Sequence, residues 1–509
     1  WIGTLDRGVF RLGARGLESL GVADGLPNSR VTALFEDREG SVWVGTNGGL
    51  VRLGQASFST LTQARGLAGD YVRTVVEDPD GVLWVGTSNG LSRIAGDRIE
   101  VVGAGTVLEG RAVLSLALAP DGGVWVGTLS AGAVLWREGR VAARADRGDG
   151  LPADEVRAIL ALPGGEAWFG TSDGLVQRGA DGRISAPVQG LPDNFVIALH
   201  RDRGGRLWVG TGVGAATITD GKVSVLDLGG KDDAQFVFGF HEPEVDDLMW
   251  LATDRGLLRY RPSDGRARLV DPEGRLPVTK PFHVLADDNG DFWMPGNRGV
   301  MRLSARAAMA AADGGPLPAF ALFDEADGML NAQGNGGSSP PAARRADGSL
   351  AFATARGLAL VHPDRLADSR NLRPAVVIES LSVDGGALAP RPGQVLPAGT
   401  RRVACEYAGL SFVMPGRIRY RTRLEGFDAD WVERDGTDSV EYTNLAPGDY
   451  SFIVTAANPN GEWEPTGARL DFSIAPRPWQ RSGFWALVIP GVLLFLIAPL
   501  INKLMHGVK

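Results

Sequence analysis

One short run of residues returns along this chain at a nearly fixed interval. SVWVGTNGGL begins at Ser41, LWVGTSNGL at Leu83, VWVGTLSAG at Val124 and AWFGTSDGL at Ala167. Aligned on the tryptophan, the copies place Trp1, Trp43, Trp84, Trp125, Trp168, Trp208, Trp250 and Trp293 in one slot, and a degenerate ninth copy, LAFATARGL, puts Ala351 there. The intervals are 42, 41, 41, 43, 40, 42, 43 and 58 residues. A unit of this size cannot bury its apolar face alone and must stack on its neighbours. Within one unit, VTALFED from Val31, SVWVGT, LVRL and SFSTL alternate apolar and polar residues and are parted by REG and NGG turns. That is the pattern of four short strands. Four strands at this period predict an all-β fold built as a β-propeller.

Each repeated residue has a packing role. Tryptophan supplies apolar surface to the layer between blades, glycine lets a neighbouring backbone approach, and threonine suits a strand while keeping a hydroxyl for a local bond. The preceding Asp-x-x-Gly (DREG at Asp37, DPDG at Asp78, DRGG at Asp202) has the acidic oxygens of a calcium loop. A hairpin turn explains the same residues and is the reading adopted.

Innermost strands enter near Val31, Val72, Val113, Val156, Val196, Val237, Pro281 and Ser339, after a leading unit that lacks its first strand. This count overfills a seven-bladed ring. The expectation is a seven-bladed propeller over residues 66–365, with residues 1–65 as the tail of a preceding propeller or as extra blades. A single larger ring is the alternative. The chain opens inside the motif at Trp1, which reads as a fragment lacking its true N-terminus. The last unit is irregular: SARAAMAAADGG predicts a short helix between blades, and DGMLNAQGNGGSSPPAARRADG precedes the degenerate strand.

Composition narrows the functional classes. The 71 Gly and 30 Pro fit a chain cut into short elements by turns. A net charge of -8 without a long Lys or Arg run argues against a nucleic-acid surface. Cys405 is the only cysteine, which leaves no internal disulfide, no CxxC pair and no cysteine-rich metal site. The five histidines, His200, His241, His283, His362 and His506, fall in no metal-binding spacing. Neither GxSxG nor a Walker motif is present, and GNGGSS at Gly334 is a weak phosphate cradle because no helix start follows it. No catalytic set, metal or cofactor is expected.

Binding is another matter. The residue before each innermost strand leads into the central channel, and these slots hold Arg30, Tyr71, Ala112, Glu155, Phe195, Val237 and Lys280. Around them the motif repeats, while the slot itself varies among basic, acidic and aromatic types. Arg30, Tyr71, Glu155, Phe195 and Lys280 are therefore the candidate ligand-binding residues. Ordinary variability of exposed loops is the competing explanation.

Repeats of the form GLP…V..L..D..G.WVGT..GL.R, closed by DGM…N.G…G.L.F.T..GL…P, resemble the two-component regulator propeller family over residues 1–365. From Arg373 the period stops, and AVVIESLSVDG, RRVACEYAGL, RIRYRTRLEGF, SVEYTNLAPGDYSFIVTAAN and ARLDFSIAP read as strands of an immunoglobulin-like sandwich over residues 373–476. The segment IRYRTRLEGFDADW…YTNLAPGDYSFIVTAANPNGEW resembles the triple-tyrosine domain, with Tyr420, Tyr442 and Tyr450 in the naming positions. Asp428, Asp430 and Trp431 have the chemistry of a sugar subsite, but the resemblance makes them a strand-end turn. Then FWALVIPGVLLFLIAPLI, residues 484–501, runs 18 residues without a charge. That is close to the roughly 20 needed to cross a bilayer. Trp479 and Trp485 at one edge, and Lys503 and Lys509 beyond the other, complete the expectation of a transmembrane helix. Arg477 and Arg481 balance the two lysines, so charge does not set the orientation.

The resemblance implies the sensing region of a membrane-bound receptor. Residues 1–483 would be periplasmic, the helix in the inner membrane and the C-terminus cytoplasmic. It further implies a homodimer, a small-molecule ligand such as a glycan or its breakdown product, and a histidine kinase or diguanylate cyclase as output beyond this chain. No enzymatic activity is expected within the chain. The alternatives are a membrane-tethered propeller enzyme of lyase or dehydrogenase type, and a surface-binding scaffold.

Overall fold

The computed structural model describes residues 1–509 except 14–15, 55, 230–235, 245–246, 367–372, 413–417, 435–436, 458–462, 481 and 507–509; in the C-terminal helix the side chains at 482, 487, 500 and 502–506 are likewise outside the description. The repeated motif forms a strand each time it occurs, among others Val42–Thr46, Leu83–Thr87, Val124–Thr128, Ala167–Thr171 and Leu207–Thr211. Alternating β-branched and aromatic residues favour this, because they pack well on a pleated surface. The chain divides into two compact units, Ala56–Ala367 and a second made of Trp1–Gln55 with Asp368–Lys509.

In Ala56–Ala367 seven antiparallel sheets follow one another, with strands inside residues 72–102, 113–145, 156–178, 196–225, 237–269, 285–323 and 342–361. We number them blades 1 to 7. Innermost strands of successive blades touch from blade 1 to blade 5 and from blade 6 to blade 7, and that of blade 7 returns to blade 1. Blades 5 and 6 are joined by Trp250 packed edge-on against Phe292 at 5.1 Å. The ring is closed by Phe58–Leu61, which serves as the outermost strand of blade 7 and pairs antiparallel with Gly357–Val361. Residues 58–61, read from sequence as the fourth strand of the preceding unit, therefore belong to the ring. Blade 3 has three strands, continued only by an isolated bridge between Arg178 and Ile184. The alanine-rich run is the helix Ala305–Ala312, inserted inside blade 6 between Gly299–Ser304 and Phe320–Phe323 rather than between blades. Asp313 at its end pairs through both carboxylate oxygens with Arg259 of blade 5, at 2.6 and 2.9 Å.

The motif residues act as joints. Oδ2 of the Asp six residues before the tryptophan accepts the indole N–H, in the pairs Asp37–Trp43, Asp78–Trp84, Asp202–Trp208 and Asp287–Trp293, at 2.7 to 2.9 Å. The other oxygen accepts turn N–H groups, from Asp80 and Val82 in the case of Asp78. These carboxylates are occupied by the turn, which supports the hairpin reading over a calcium loop. The motif threonine ties the next turn, Thr87 Oγ1 donating to the Gly90 carbonyl at 3.1 Å and Thr171 Oγ1 to that of Gly174 at 2.8 Å. The motif glycine admits the next blade: a Cβ on Gly86 would lie 2.5 Å from Val113 Cγ1, and one on Gly170 2.5 Å from Val196 Cγ1.

The second unit contains two three-stranded sheets, Ile2–Gly3, Val9–Gly13 and Gly16–Leu20, then Val31–Glu36, Val42–Thr46 and Gly49–Leu53. It also contains a sandwich. One of its sheets orders Gly386–Leu388, Ala375–Val383, Arg402–Leu410 and Ser439–Thr443; the other orders Gln394–Leu396, Ala468–Ile474, Gly448–Ala457, Arg419–Glu425 and Val432–Arg434. Between them lie Leu381, Tyr407, Leu424, Phe452 and Phe472. Cys405 is in this core, where burial pushes its thiol up to about 12. The three naming tyrosines are buried and each hydroxyl is spoken for: Tyr420 accepts from Gly409 N, Tyr442 donates to Asp428 Oδ2 and Tyr450 donates to the Ala446 carbonyl. Asp428 Oδ2 also accepts from Leu424 N, which makes it part of the strand-end turn.

A helix runs over Ser482–His506, with Pro490 and Pro499 inside it. Among the described residues no helix is long and apolar enough to cross a membrane. The expected span at 484–501 is interrupted by side chains outside the description, and the anchoring Lys503 and Lys509 are among these.

Candidate functional site

The innermost strand of every blade from 1 to 5 carries the same irregularity. Register slips between Val72 and Thr74, Val113 and Ser115, Val156 and Ala158, Val196 and Ala198, and Val237 and Gly239. The extra residues are Arg73, Leu114, Arg157, Ile197 and Phe238. A bulge leaves one residue out of the ladder and re-aims its side chain. Arg157 of blade 3 reaches the Gly337 carbonyl of a segment whose Asn335 bonds to Val72 of blade 1, and its charge lowers the Arg73 guanidinium. In blade 6 the corresponding place is taken by Phe282, whose ring meets that of Phe238 edge-on at 5.3 Å.

The candidate slots frame these bulged residues. Their carbonyls accept an N–H from the residue following the motif threonine: Tyr71 from Ser88, Glu155 from Ser172 and Phe195 from Gly212, at 2.9 to 3.1 Å. In blade 5 the slot is Phe236, which accepts from Asp254 N, because Val237 is already in the strand and fully buried. Val237 is thus displaced from the slot by one residue. Tyr71 is partly exposed and carries the Arg73 guanidinium over its ring at 4.9 Å. Glu155 and Phe195 are brought together by Arg157, which pairs with the Glu155 carboxylate and lies 4.7 Å over the Phe195 ring. Lys280 is exposed, and its charge acts on Asp254, whose carboxyl burial holds above the usual range. Arg30 belongs to the other unit and is not part of this ring.

The glycine-rich segment read as a weak phosphate cradle is a strap across the inner strands. Asn335 Nδ2 donates to the Val72 carbonyl at 3.2 Å, and Arg157 Nη1 to that of Gly337 at 2.6 Å. Ser339 exchanges backbone bonds with Leu114 and Leu116, and the Pro340 carbonyl accepts from Val75 N and Thr74 Oγ1. Glycine is required at 336, where a Cβ would lie 2.3 Å from the Phe282 ring. The strap thus joins blades 1, 2 and 3 to the Phe282 side.

The residues about the inner strands are of two chemical kinds: Arg73 and Arg157 carry charge, and Phe236, Phe238 and Phe282 carry rings, Phe236 stacked on Phe238 at 5.8 Å. Burial, reinforced by the Arg157 charge, lowers the Arg73 guanidinium below its ordinary value. Near these rings, burial pushes His241 and His283 down to about 4, so both are neutral at pH 7. Among the described residues no group of three or more His, Cys, Asp or Glu side chains could hold a metal ion. The slots were legible because they precede a repeated strand. The bulged position was missed, although its signal is in the sequence as a variable residue between Val and a small residue: VRT, VLS, VRA, VIA and VFG.

Models of known families match two parts of the chain. The two component regulator propeller matches at residues 25–48, 66–89 and 190–212, and the Y_Y_Y domain at residues 411–475. No curated protein matches the sequence. Among solved structures, the chain is similar to the extracellular domain described for the hybrid two component system BT3049 of B. thetaiotaomicron, at 22% identity and a TM-score of 0.75, covering 94% of this chain and 66% of that one. The chain thus spans less than two thirds of that structure. Weaker likenesses are to the extracellular domain of BT4673 from the same organism (16% identity, TM-score 0.48, 92% of this chain and 67% of that one) and to a virginiamycin B lyase from Staphylococcus aureus (16%, 0.46, 60% and 98%). The chain carries two component regulator propeller repeats and a Y_Y_Y domain, and seven of its sheets follow one another into a ring.

Proposed function

We propose that this chain is the extracytoplasmic sensing region of a membrane-bound signal-transduction receptor. A ligand at the ring, or association of two copies into a homodimer, would be relayed through the helix Ser482–His506 to a cytoplasmic histidine kinase or diguanylate cyclase. The observation that carries this is the order of parts: a ring of regulator-propeller repeats, a Y_Y_Y sandwich, then an apolar helix, in a fold shared over 94% of the chain with an extracellular sensor domain. The helix supports membrane attachment through its outward-facing apolar side chains, with Leu494 71% and Phe495 82% exposed. Apolar side chains left facing outward in this way call for an apolar surrounding.

Topology fusions test the reading. Alkaline phosphatase joined after Arg477 in the full-length receptor should be active in intact cells, and joined after His506 it should be inactive. Equal activity at both points would remove the transmembrane relay. Cysteine cross-linking in membranes should trap dimers; exclusively monomeric receptor would remove the dimer.

A further inference from the structure

The charged residues of the axial opening are not balanced. Arg157 is compensated, since Glu155 takes one of its Nη groups and the Gly337 carbonyl the other. Arg73 is not compensated. Among the described residues its only close partner is the Tyr71 ring, its Nε is buried without an acceptor, and the Arg157 charge acts against its own. Lys280 and Asp254, the other charged pair of the opening, act on one another. A half-buried cation beside a like charge is costly unless an anion joins it. Each guanidinium lies over a ring, Arg73 over Tyr71 at 4.9 Å and Arg157 over Phe195 at 4.7 Å, which limits the conformations it must lose to accept a ligand. The strap brings rings to the same place: Gly336 packs on Phe282 beside Gly337, which meets Arg157, and Phe282 is in edge-on contact with Phe238. One group of the ligand must therefore be anionic, and its body apolar.

We propose that the axial opening binds an organic anion, its carboxylate or sulfate group on Arg73 with support from Arg157 and its apolar body against Phe238 and Phe282. This rests on the reading of the ring as the ligand-binding part of a sensor and names the chemical class it accepts.

Calorimetric titration of the intact chain with benzoate and with sodium sulfate, at constant ionic strength, tests it. Benzoate should bind saturably at one site, and the neutral analogue benzyl alcohol at least tenfold more weakly. Arg73→Gln should weaken benzoate at least tenfold, Arg73→Lys should retain part of the affinity, and Arg98→Gln, at an exposed outer strand, should change nothing. Saturable sulfate binding lost in Arg73→Gln would show that the anion alone suffices; benzoate binding without sulfate binding would show that the apolar body is also needed. Both outcomes support the site. Absence of saturable benzoate binding, equal affinity for benzyl alcohol, or unchanged affinity in an Arg73→Gln protein with a wild-type melting transition would overturn it. Topology fusions as above separate the two ideas: a receptor with correct topology that binds no anion loses only this inference, and an anion-binding protein that does not cross the membrane loses only the sensor reading.

Discussion

Blade 1 and the sheet Val31–Leu53 carry nearly the same motif, LWVGTSNGL and VWVGTNGGL, and bury it differently. Leu83–Thr87 is buried at every residue, whereas Val42–Thr46 is buried at alternate positions. The innermost strand Val72–Glu77 is half buried, while Val31–Glu36 has no buried residue. Leu91 is 0% exposed and its counterpart Leu50 is 64% exposed. The difference lies in the neighbour. A Cβ on Gly86 would strike Val113 of the next blade, whereas one on Gly45 would meet only Thr32 and Ala33 of its own sheet. Trp43 is covered instead by Phe412, which comes from the sandwich part of its unit and meets it edge-on at 5.0 Å. Within these residues, motif burial thus follows the neighbour that each copy meets.

The sharpest way to break this comparison is to remove the tryptophan on each side. Trp208 is almost fully enclosed and holds its Asp202 bond, so Trp208→Ala should cost about 3–5 kcal/mol. Trp43→Ala should cost less, because Trp43 is only partly enclosed. Urea unfolding monitored by exchange of peptides from each region measures both, and equal losses would end the distinction.

Acid should separate the two regions next. Residues 1–55 contain no histidine, whereas His241 and His283 belong to the ring and titrate near about 4. An unfolded histidine takes its proton near pH 6.5. Between that value and about 4 the unfolded chain binds protons the folded ring does not, so ring stability falls as pH falls through this window and levels off below it. Amide exchange should accelerate in residues 237–292 and not in residues 31–53. His283→Gln should flatten the slope; an identical slope would reject burial of His283 as its origin.

A smaller effect comes from the glycines. Neither Gly170 nor Gly45 has a backbone angle that excludes alanine, so only space distinguishes them. Gly170→Ala presses a methyl against Val196 and should cost about 1–3 kcal/mol. Gly45→Ala, whose nearest neighbour is the Thr32 hydroxyl at 3.3 Å, should be neutral or stabilising by under about 1 kcal/mol. A calorimetric melt of each variant is enough to decide.

The strands and their stacking were legible because period-two alternation and a recurring tryptophan are local signals. The closing strand was not: Phe58–Leu61 adjoins the previous sheet in sequence and pairs with Gly357–Val361, and nothing in SFSTL specifies a partner so distant. The GNGGSS segment was legible as glycine-rich and misread in purpose, since its glycines make room for the Phe282 ring and the Arg157 guanidinium. At the candidate site, Tyr71, Glu155 and Phe195 could be counted from the tryptophan. Arg73 and Arg157 stand at a countable place too, but what their side chains face was not legible, because a bulge re-aims the extra residue.

The finest test concerns an enclosed tryptophan that lacks its aspartate. Where Trp84, Trp208 and Trp293 donate to a carboxylate, blade 2 has Ala119, and the indole N–H of Trp125 is buried without an acceptor. The turn is otherwise the same: Ala119 N donates to the Gly123 carbonyl and Gly122 N to that of Ala119, as Asp78 and Gly81 do with Val82 and Asp78. A carboxylate placed there meets an unpaired donor and turn N–H groups in a geometry the fold already uses four times. Ala119→Asp should therefore stabilise the ring by about 1 kcal/mol, and Asp78→Ala should destabilise it by about 1–3 kcal/mol through the orphaned donor. Because Trp125 packs on Phe169 of blade 3 at 5.1 Å, the gain should appear as slower exchange in both blades 2 and 3. A loss of stability in Ala119→Asp would mean that the Asp–Trp bond depends on its own blade's packing and is not a transferable joint.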